Sequence, residues 1–340
     1  MSNKPYKSGR ANPWVLLALT VLLLAAIAAS CLFGMVDITV DDLLKAFERW
    51  KEDGTETNIL SYFLNFRIPR VLMSVLVGAV LSVCGAVYQS IFRNPLTDPY
   101  VLGVSSGASL GAAIAFIVGL NAIFWGVEGL ALVTALLTVL FLYRIASTGN
   151  RMHTTTLLLT GVCLTLLISA VISFLIALNP QKMDSIYSWT MGSFANRVWD
   201  HVLVLLPMAV VGIVVTLWYA RDLNLLLAGS EAAKSMGVEV EKVRRVLLLV
   251  TTVMVAFAVS TCGVIGFVGL IVPHAVRLVA GPDNRKVVPY SMLVGAIFVL
   301  LCDMLAHTII YPGELPVGSL TSMVGAPMFI YLLYKNKKKY

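Results

Sequence analysis

The 340-residue sequence predicts an all-α, polytopic membrane protein of about ten transmembrane helices. Three observations predict it: 59% of the residues are hydrophobic and only 13% charged, the mean hydropathy is +0.87, and span-length apolar runs recur along the chain. Soluble domains run nearer half apolar and a quarter charged. A soluble chain of this length would divide into domains whose surfaces this composition cannot cover. The bilayer must be the solvent.

About 20 apolar residues at 1.5 Å each cross the ~30 Å hydrocarbon core. That ruler places spans at roughly 14–36, 69–92, 99–119, 122–143, 154–178, 198–219, 246–262, 266–280, 289–310 and 319–334. Gly263 and Gly266 divide the seventh from the eighth. The whole chain, 1–340, reads as one transmembrane domain with a polar loop at 221–245. At the start, Lys4, Lys7 and Arg10 precede an apolar run from Trp14 to Val36, a pattern shared with signal peptides, and Ala28-Ala29-Ser30-Cys31 is similar to a lipoprotein cleavage site. The run is long enough to span, so it is read as a retained first helix.

Orientation follows from the basic residues. With the N-terminus inside, 18 of the 25 Lys and Arg fall on the cytoplasmic side and 7 outside, so both termini are expected in the cytoplasm of an inner-membrane, multi-pass protein. An even number of spans is then required, which favours ten over nine. Basic character alone could indicate nucleic-acid binding, but no basic stripe with interleaved aromatics occurs. The five cysteines (Cys31, Cys84, Cys163, Cys262, Cys302) sit singly in apolar runs, which argues against disulfides or zinc. Outside, residues 37–66 form an acidic, amphipathic stretch, and 179–197, with Trp189 and nearby Trp199, fit a re-entrant or interfacial helix. A solvated connection is the simpler reading of both.

The third span opens on Asp98-Pro99, a capping residue followed by a residue suited to the first helical position. Gly103, Gly107 and Gly111 then recur every four residues, a stripe that lets a neighbouring helix approach closely. In the loop after the sixth span, Leu223, Leu225, Leu226 and Leu227 are expected to expose apolar surface. Ser230 is expected to cap a short helix, Glu231 to favour its N-terminus and Gly237 to end it. Such a helix needs a partner to bury it. Glu231-Ala232-Ala233 followed by Gly237 resembles the EAA-xxx-G pattern that importer permeases present to their ATPases.

Several segments, in order, resemble the FecCD family. They are Arg67-Ile68-Pro69-Arg70, Arg93-Asn94-Pro95-Leu96, Leu102 to Ala108, Gly266 to His274, and Glu314-Leu315-Pro316-Val317-Gly318. These are permeases of binding-protein-dependent ABC importers for siderophores, haem and vitamin B12. The resemblance implies ten helices per subunit, a permease dimer, read here as a homodimer, two ATP-binding subunits and an extracytoplasmic substrate-binding protein. It implies ATPase coupling through Leu225, Leu226, Gly229, Glu231, Ala232 and Gly237, and docking of the binding protein at Arg67, Arg70 and, where relatives carry another arginine, His307.

Asp303 and His307 lie four apart and are expected to pair, since an intramembrane carboxylate needs a partner. A lone His near a helix end is more often structural than a haem ligand. His274, after Pro273, reads as a packing residue and the Met residues as gap fillers. No metal, cofactor or catalytic residue is expected. No GxxxxGK[S/T] phosphate loop occurs, so ATP hydrolysis belongs to separate subunits. The alternative is an ion-gradient-coupled secondary transporter, which usually buries mid-membrane acids and shows paired repeats; few such acids and no repeat are seen. A membrane enzyme has no HExxH or other catalytic cluster to support it.

Overall fold

The computed structural model describes residues 9, 11–33, 39–53, 57–148, 151–152, 154–310 and 313–335. Lys4, Lys7, Arg10, Val36, Asp37, Glu56 and the lysines at 337–339 lie outside the described residues. The helices, in order, are α1 (Pro13–Leu32), α2 (Val40–Asp53), α3 (Asn58–Tyr62), α4 (Ile68–Ile91), α5 (Val104–Val118), α6 (Gly126–Ala146), α7 (Thr154–Leu178) and α8 (Met183–Thr190). They continue with α9 (Trp199–Trp218), α10 (Ala220–Leu227), α11 (Ser230–Ser235), α12 (Val240–Cys262), α13 (Val268–Ala280), α14 (Asn284–Thr308) and α15 (Val317–Lys335). A two-residue antiparallel pair, β1 (Ser147–Thr148) and β2 (Arg151–Met152), turns the chain between α6 and α7. Among the described residues, seven helices are long and apolar enough to cross a membrane, with α3 and α4 counted as one run. Three shorter apolar helices (Val104–Val118, Val268–Ala280 and Val317–Leu332) bring the apolar helices to the expected ten.

Helix α4 is the axle of the bundle. It is buried along nearly its whole length and packs most extensively on α14, then on α13, α12 and α9. Glycine makes these approaches feasible: a Cβ on Gly78 would collide with the Gly295 backbone, and one on Gly85 with the Gly269 backbone. In lipid, where apolar surface alone does not pull helices together, such backbone contact carries the packing. Away from lipid, α4 holds polar side chains by satisfying them: Ser82 donates to the Gly78 carbonyl at 2.8 Å and Gln89 to the Leu270 carbonyl at 2.9 Å. The lipid-facing positions are apolar, as at Leu166, Leu167 and Phe174 on α7 and Val211 on α9.

Helix α1 packs chiefly on α14, where the Asn12 amide donates to the Tyr290 hydroxyl at 2.7 Å. Amphipathic α2 leaves Val40, Leu44, Phe47 and Trp50 exposed along one face. Residues Phe63–Arg67 form a π turn running into α4, with the Ile68 amide on the Phe63 carbonyl. Pro69 lacks the N–H that would continue the α-helical ladder, and the widened turn absorbs that mismatch.

The third span starts later than the expected 99. Asp98 does cap, accepting from the Tyr100 amide at 2.8 Å, but what it caps is a 3₁₀ turn, Pro99–Leu102. Gly103, at φ +78°, then resets the backbone before α5 begins at Val104. The break expected near Gly263 divides α12 from α13. Gly263 sits at φ +73° with the Trp189 carbonyl against its α-carbon, where a side chain would clash. Beyond α8, the Met191–Ser193 backbone joins the ends of two other helices. Ser193 N–H donates to the Cys262 carbonyl at 2.9 Å, and the Gly192 and Met191 carbonyls accept from Val317 and Gly318.

Candidate functional site

The polar chemistry gathers at the two ends of the bundle. One end holds the start of α4 and the end of α14. Arg70 lies in the first turn of α4, and its guanidinium is clasped by two carboxylates from far along the chain. Nε donates to Asp303 Oδ2 at 3.0 Å, Nη2 to Asp303 Oδ1 at 2.8 Å and Nη1 to Glu314 Oε1 at 2.6 Å. Asp303 is fully buried on α14, and Glu314 comes from the α14–α15 connection. Bidentate geometry of this kind is the strong form of a charge-assisted hydrogen bond. It also explains how an ionised carboxylate survives on a membrane helix.

Neither the Arg67 nor the Arg70 guanidinium points out of the bundle: Arg67 is only 5% exposed and donates to the carbonyls of Cys31 and Leu32, at 3.0 and 3.2 Å. Those are C-terminal carbonyls of α1 that its own helix leaves unbonded, so a cation there is doubly favoured. His307 is buried too. Its Nδ1 is 4.0 Å from Asp303 and its Nε2 is 3.5 Å from the Phe33 carbonyl, so Arg70, not His307, is the principal partner of Asp303.

These groups border a cavity of about 150 Å³ that also reaches Ser30 and Arg197. Ser30 Oγ, Arg197 Nε, His307 Nδ1 and Glu314 Oε2 are all buried around it without a protein hydrogen-bond partner. Four unsatisfied polar atoms on one small space make it a place for water or a small polar group. A second pair flanks it: Arg197 Nη1 donates to Glu128 Oε1 at 3.0 Å, and the His201 ring lies 4.9 Å from that of Trp125. Glu128 and Arg197 belong to no motif in the sequence, and Glu314 stands there only within the Glu314–Gly318 segment of the family resemblance, with no role of its own. A charged residue at the end of an apolar run was the available signal, and it names no partner.

The other end carries α10 and α11. Here a further expectation fails. Leu223 and Leu226 are buried against α4 and α14, and Leu225 is partly buried, so the leucines seal this arm to its own bundle. Their three-residue spacing, one helix face, is the physical reason. Ser230 is not the cap either. Gly229, at φ +118°, holds the N-cap position, and Ser230 Oγ accepts from Arg244 Nη2 at 2.7 Å, which ties α11 to α12. Gly237 follows α11 in the left-handed region at φ +85°. Ala233 is buried and Ala232 partly so, while Glu231, Lys234 and Met236 face away from the bundle.

The glycines of the 103–111 stripe divide by role. A Cβ on Gly107 would collide with Thr138, and one on Gly111 with Thr134 and the Leu130 carbonyl, both on α6. Gly103 meets nothing closer than 3.6 Å, and its requirement is the positive φ.

Comparison with known proteins agrees with this architecture. The chain is 45% identical over 267 residues to the cobalamin import system permease protein BtuC of Halobacterium salinarum, covering 78% of this chain and 72% of that one. It is 34% identical to the hemin transport system permease protein HmuU of Yersinia pestis, covering 98% and 99% of the two chains. A solved metal-chelate type ABC transporter in an inward-facing conformation superposes with a TM-score of 0.82 at 32% identity, over 95% of this chain and all of the other. The FecCD transport family matches residues 22–335. This chain therefore belongs to the FecCD transport family and is a membrane-embedded permease subunit of an ABC importer.

Proposed function

We propose that two copies of this chain form the translocation unit of an importer that carries an iron chelate or cobalamin into the cytoplasm, driven by two ATP-binding subunits and fed by an extracytoplasmic binding protein. The observation that carries the reading is the end-to-end match to a hemin permease combined with the projecting arm α10–α11. The arm's outer surface (Glu231, Lys234, Met236) has no role within the bundle. On this reading residues 221–245 contact the ATP-binding subunits, both termini are cytoplasmic, and the Arg70 end faces outward. Docking at Arg67, Arg70 and His307 rests on the resemblance. An acidic group of the binding protein would have to enter the cavity beside Glu314 and compete for Arg70.

The test is uptake into proteoliposomes reconstituted with the ATP-binding subunits and binding protein. Cyanocobalamin, hemin and ferric dicitrate serve as separate probes. Uptake of one of them that needs ATP and is indifferent to a protonophore is expected. Uptake that collapses with the proton or sodium gradient and ignores ATP would overturn the importer reading in favour of a gradient-coupled carrier.

A further inference from the structure

The arm is joined to the bundle by more than leucines. Asn224, on α10, uses both ends of its side-chain amide on the start of α14. Its Nδ2 donates to Asp283 Oδ1 at 2.6 Å, and its Oδ1 accepts from the Asn284 amide at 2.7 Å. Asn284 is the first residue of α14, so its N–H is one of the groups a helix cannot satisfy from within. Asp283, the N-cap, meanwhile accepts from the Arg285 amide at 3.1 Å. The N-terminus of α14 is thus capped twice, once by its own residue and once by a residue of the arm.

The same joint extends inward. Asn284 is fully buried, and its Oδ1 accepts from Ser90 Oγ on α4 and from Arg277 Nη2 on α13, each at 3.0 Å. Arg277 Nη2 lies 2.8 Å from Ser90 Oγ and 2.9 Å from the Ala86 carbonyl. Two spanning helices (α4 and α14), the shorter apolar α13 and the arm therefore meet within one hydrogen-bonded cluster. From it α14 runs from Asn284 to Asp303, about 28 Å at 1.5 Å per residue, to the Asp303–Arg70–Glu314 clasp near its far end. Packed side by side along α4, it is one continuous helix, with Pro289 in its second turn, and it carries a polar joint toward each end.

We propose that Asn224 is the positioning residue that transmits movement of the arm to α14, and that α14 carries it through the bilayer to the Arg70 clasp. This rests on the reading of 221–245 as the contact for the ATP-binding subunits. Displacing the arm without losing Asn224's bonds must move the start of α14, because Asn224 holds both the N-cap carboxylate and the first amide of that helix. Displacing it with their loss uncaps the helix and leaves α14 where it was.

The experiment uses the reconstituted complex and reads molecules transported per ATP hydrolysed, with whichever of cyanocobalamin, hemin or ferric dicitrate the wild type carries. Asn224→Asp sets a carboxylate against Asp283, and Asn224→Leu removes both bonds. Each should leave the complex assembled and ATP hydrolysis running, while transport per ATP falls about tenfold, the equivalent of one well-made buried hydrogen bond. The double variant Asn224→Asp/Asp283→Asn restores an amide–carboxylate pair with donor and acceptor exchanged, and should regain most of that loss. A merely structural residue would lower the unfolding midpoint in step with transport and would not be rescued by the exchange. Unchanged transport per ATP in both single variants, or a defect that the exchange leaves untouched, overturns the proposal. Two surface variants, Glu231→Arg and Met236→Glu, test the underlying reading separately. If neither alters ATP hydrolysis or association with the ATP-binding subunits, the contact surface lies elsewhere, whatever Asn224 does.

Discussion

Replacing Arg70 by Met removes one cation and leaves two carboxylates. Asp303 has no exposed side-chain surface and the Glu314 side chain is 20% exposed, so the change strands one carboxylate away from solvent and one partly within reach of it. Taking one partner from a buried pair costs about 3–5 kcal/mol, because the remaining charge keeps its desolvation penalty. By contrast, Lys45–Asp41 is an i,i+4 pair with side chains 64% and 70% exposed, and such pairs contribute about 0–1 kcal/mol. The assay is reversible unfolding in mixed micelles of dodecyl maltoside and SDS, followed by tryptophan fluorescence. Arg70→Met should lose several times what Lys45→Met loses. Arg70→Met/Asp303→Leu, which deletes both charges, should recover most of the difference. If Arg70→Met falls within about 1 kcal/mol of wild type, the clasp behaves as a solvated pair, and the account of the Arg70 end as buried is wrong.

Gly107→Leu and Gly111→Leu should each destabilise by about 1–3 kcal/mol through overpacking against α6, whereas Gly129→Ala, with open space at its α-carbon, should stabilise by about 0.5–1 kcal/mol in the same assay. Burial pushes the Asp283 carboxyl up, but the hydrogen bonds from Arg285 and Asn224 outweigh it and hold it down, at about 2. A depressed carboxylate contributes stability above its unfolded value of about 3.9 and loses it as pH falls. The wild-type unfolding midpoint should therefore drop between about pH 4 and pH 2, and Asp283→Asn should flatten that drop. Gly237→Val forces a β-branched side chain to φ +85°, at a local cost of about 1–3 kcal/mol, and should reduce transport per ATP while the spans stay folded.

The helical plan was readable because its signals are local. Apolar runs have lengths set by the bilayer, and Gly263 marks a break within one of them. The partner of Asp303 was not readable. The rule that an intramembrane acid needs a partner pointed along its own helix to His307, four residues away, while the side chain that clasps it is 233 residues distant in Arg70. Hydropathy likewise ranks Leu223 and Leu226 as exposed because they sit in a polar loop. Only their three-residue spacing hints at a face turned inward. Asn224 carries no sequence signal at all, since its role depends on where the start of α14 comes to lie.

The packing of α1 has a bearing on the order in which the chain is made. This helix is made before α14, yet α14 is its main support, with Tyr290 lying 278 residues later than Asn12. During synthesis it must persist in lipid alone, and its nearly uniform apolar surface suits it to do so. Arg70 has no such independence. Its carboxylates are made 233 and 244 residues after it, so through most of translation α4 carries an uncompensated cation near its leading edge. Closure of that clasp waits for α14: a chain truncated before it leaves Arg70 without either carboxylate and α4 without its most extensive packing partner.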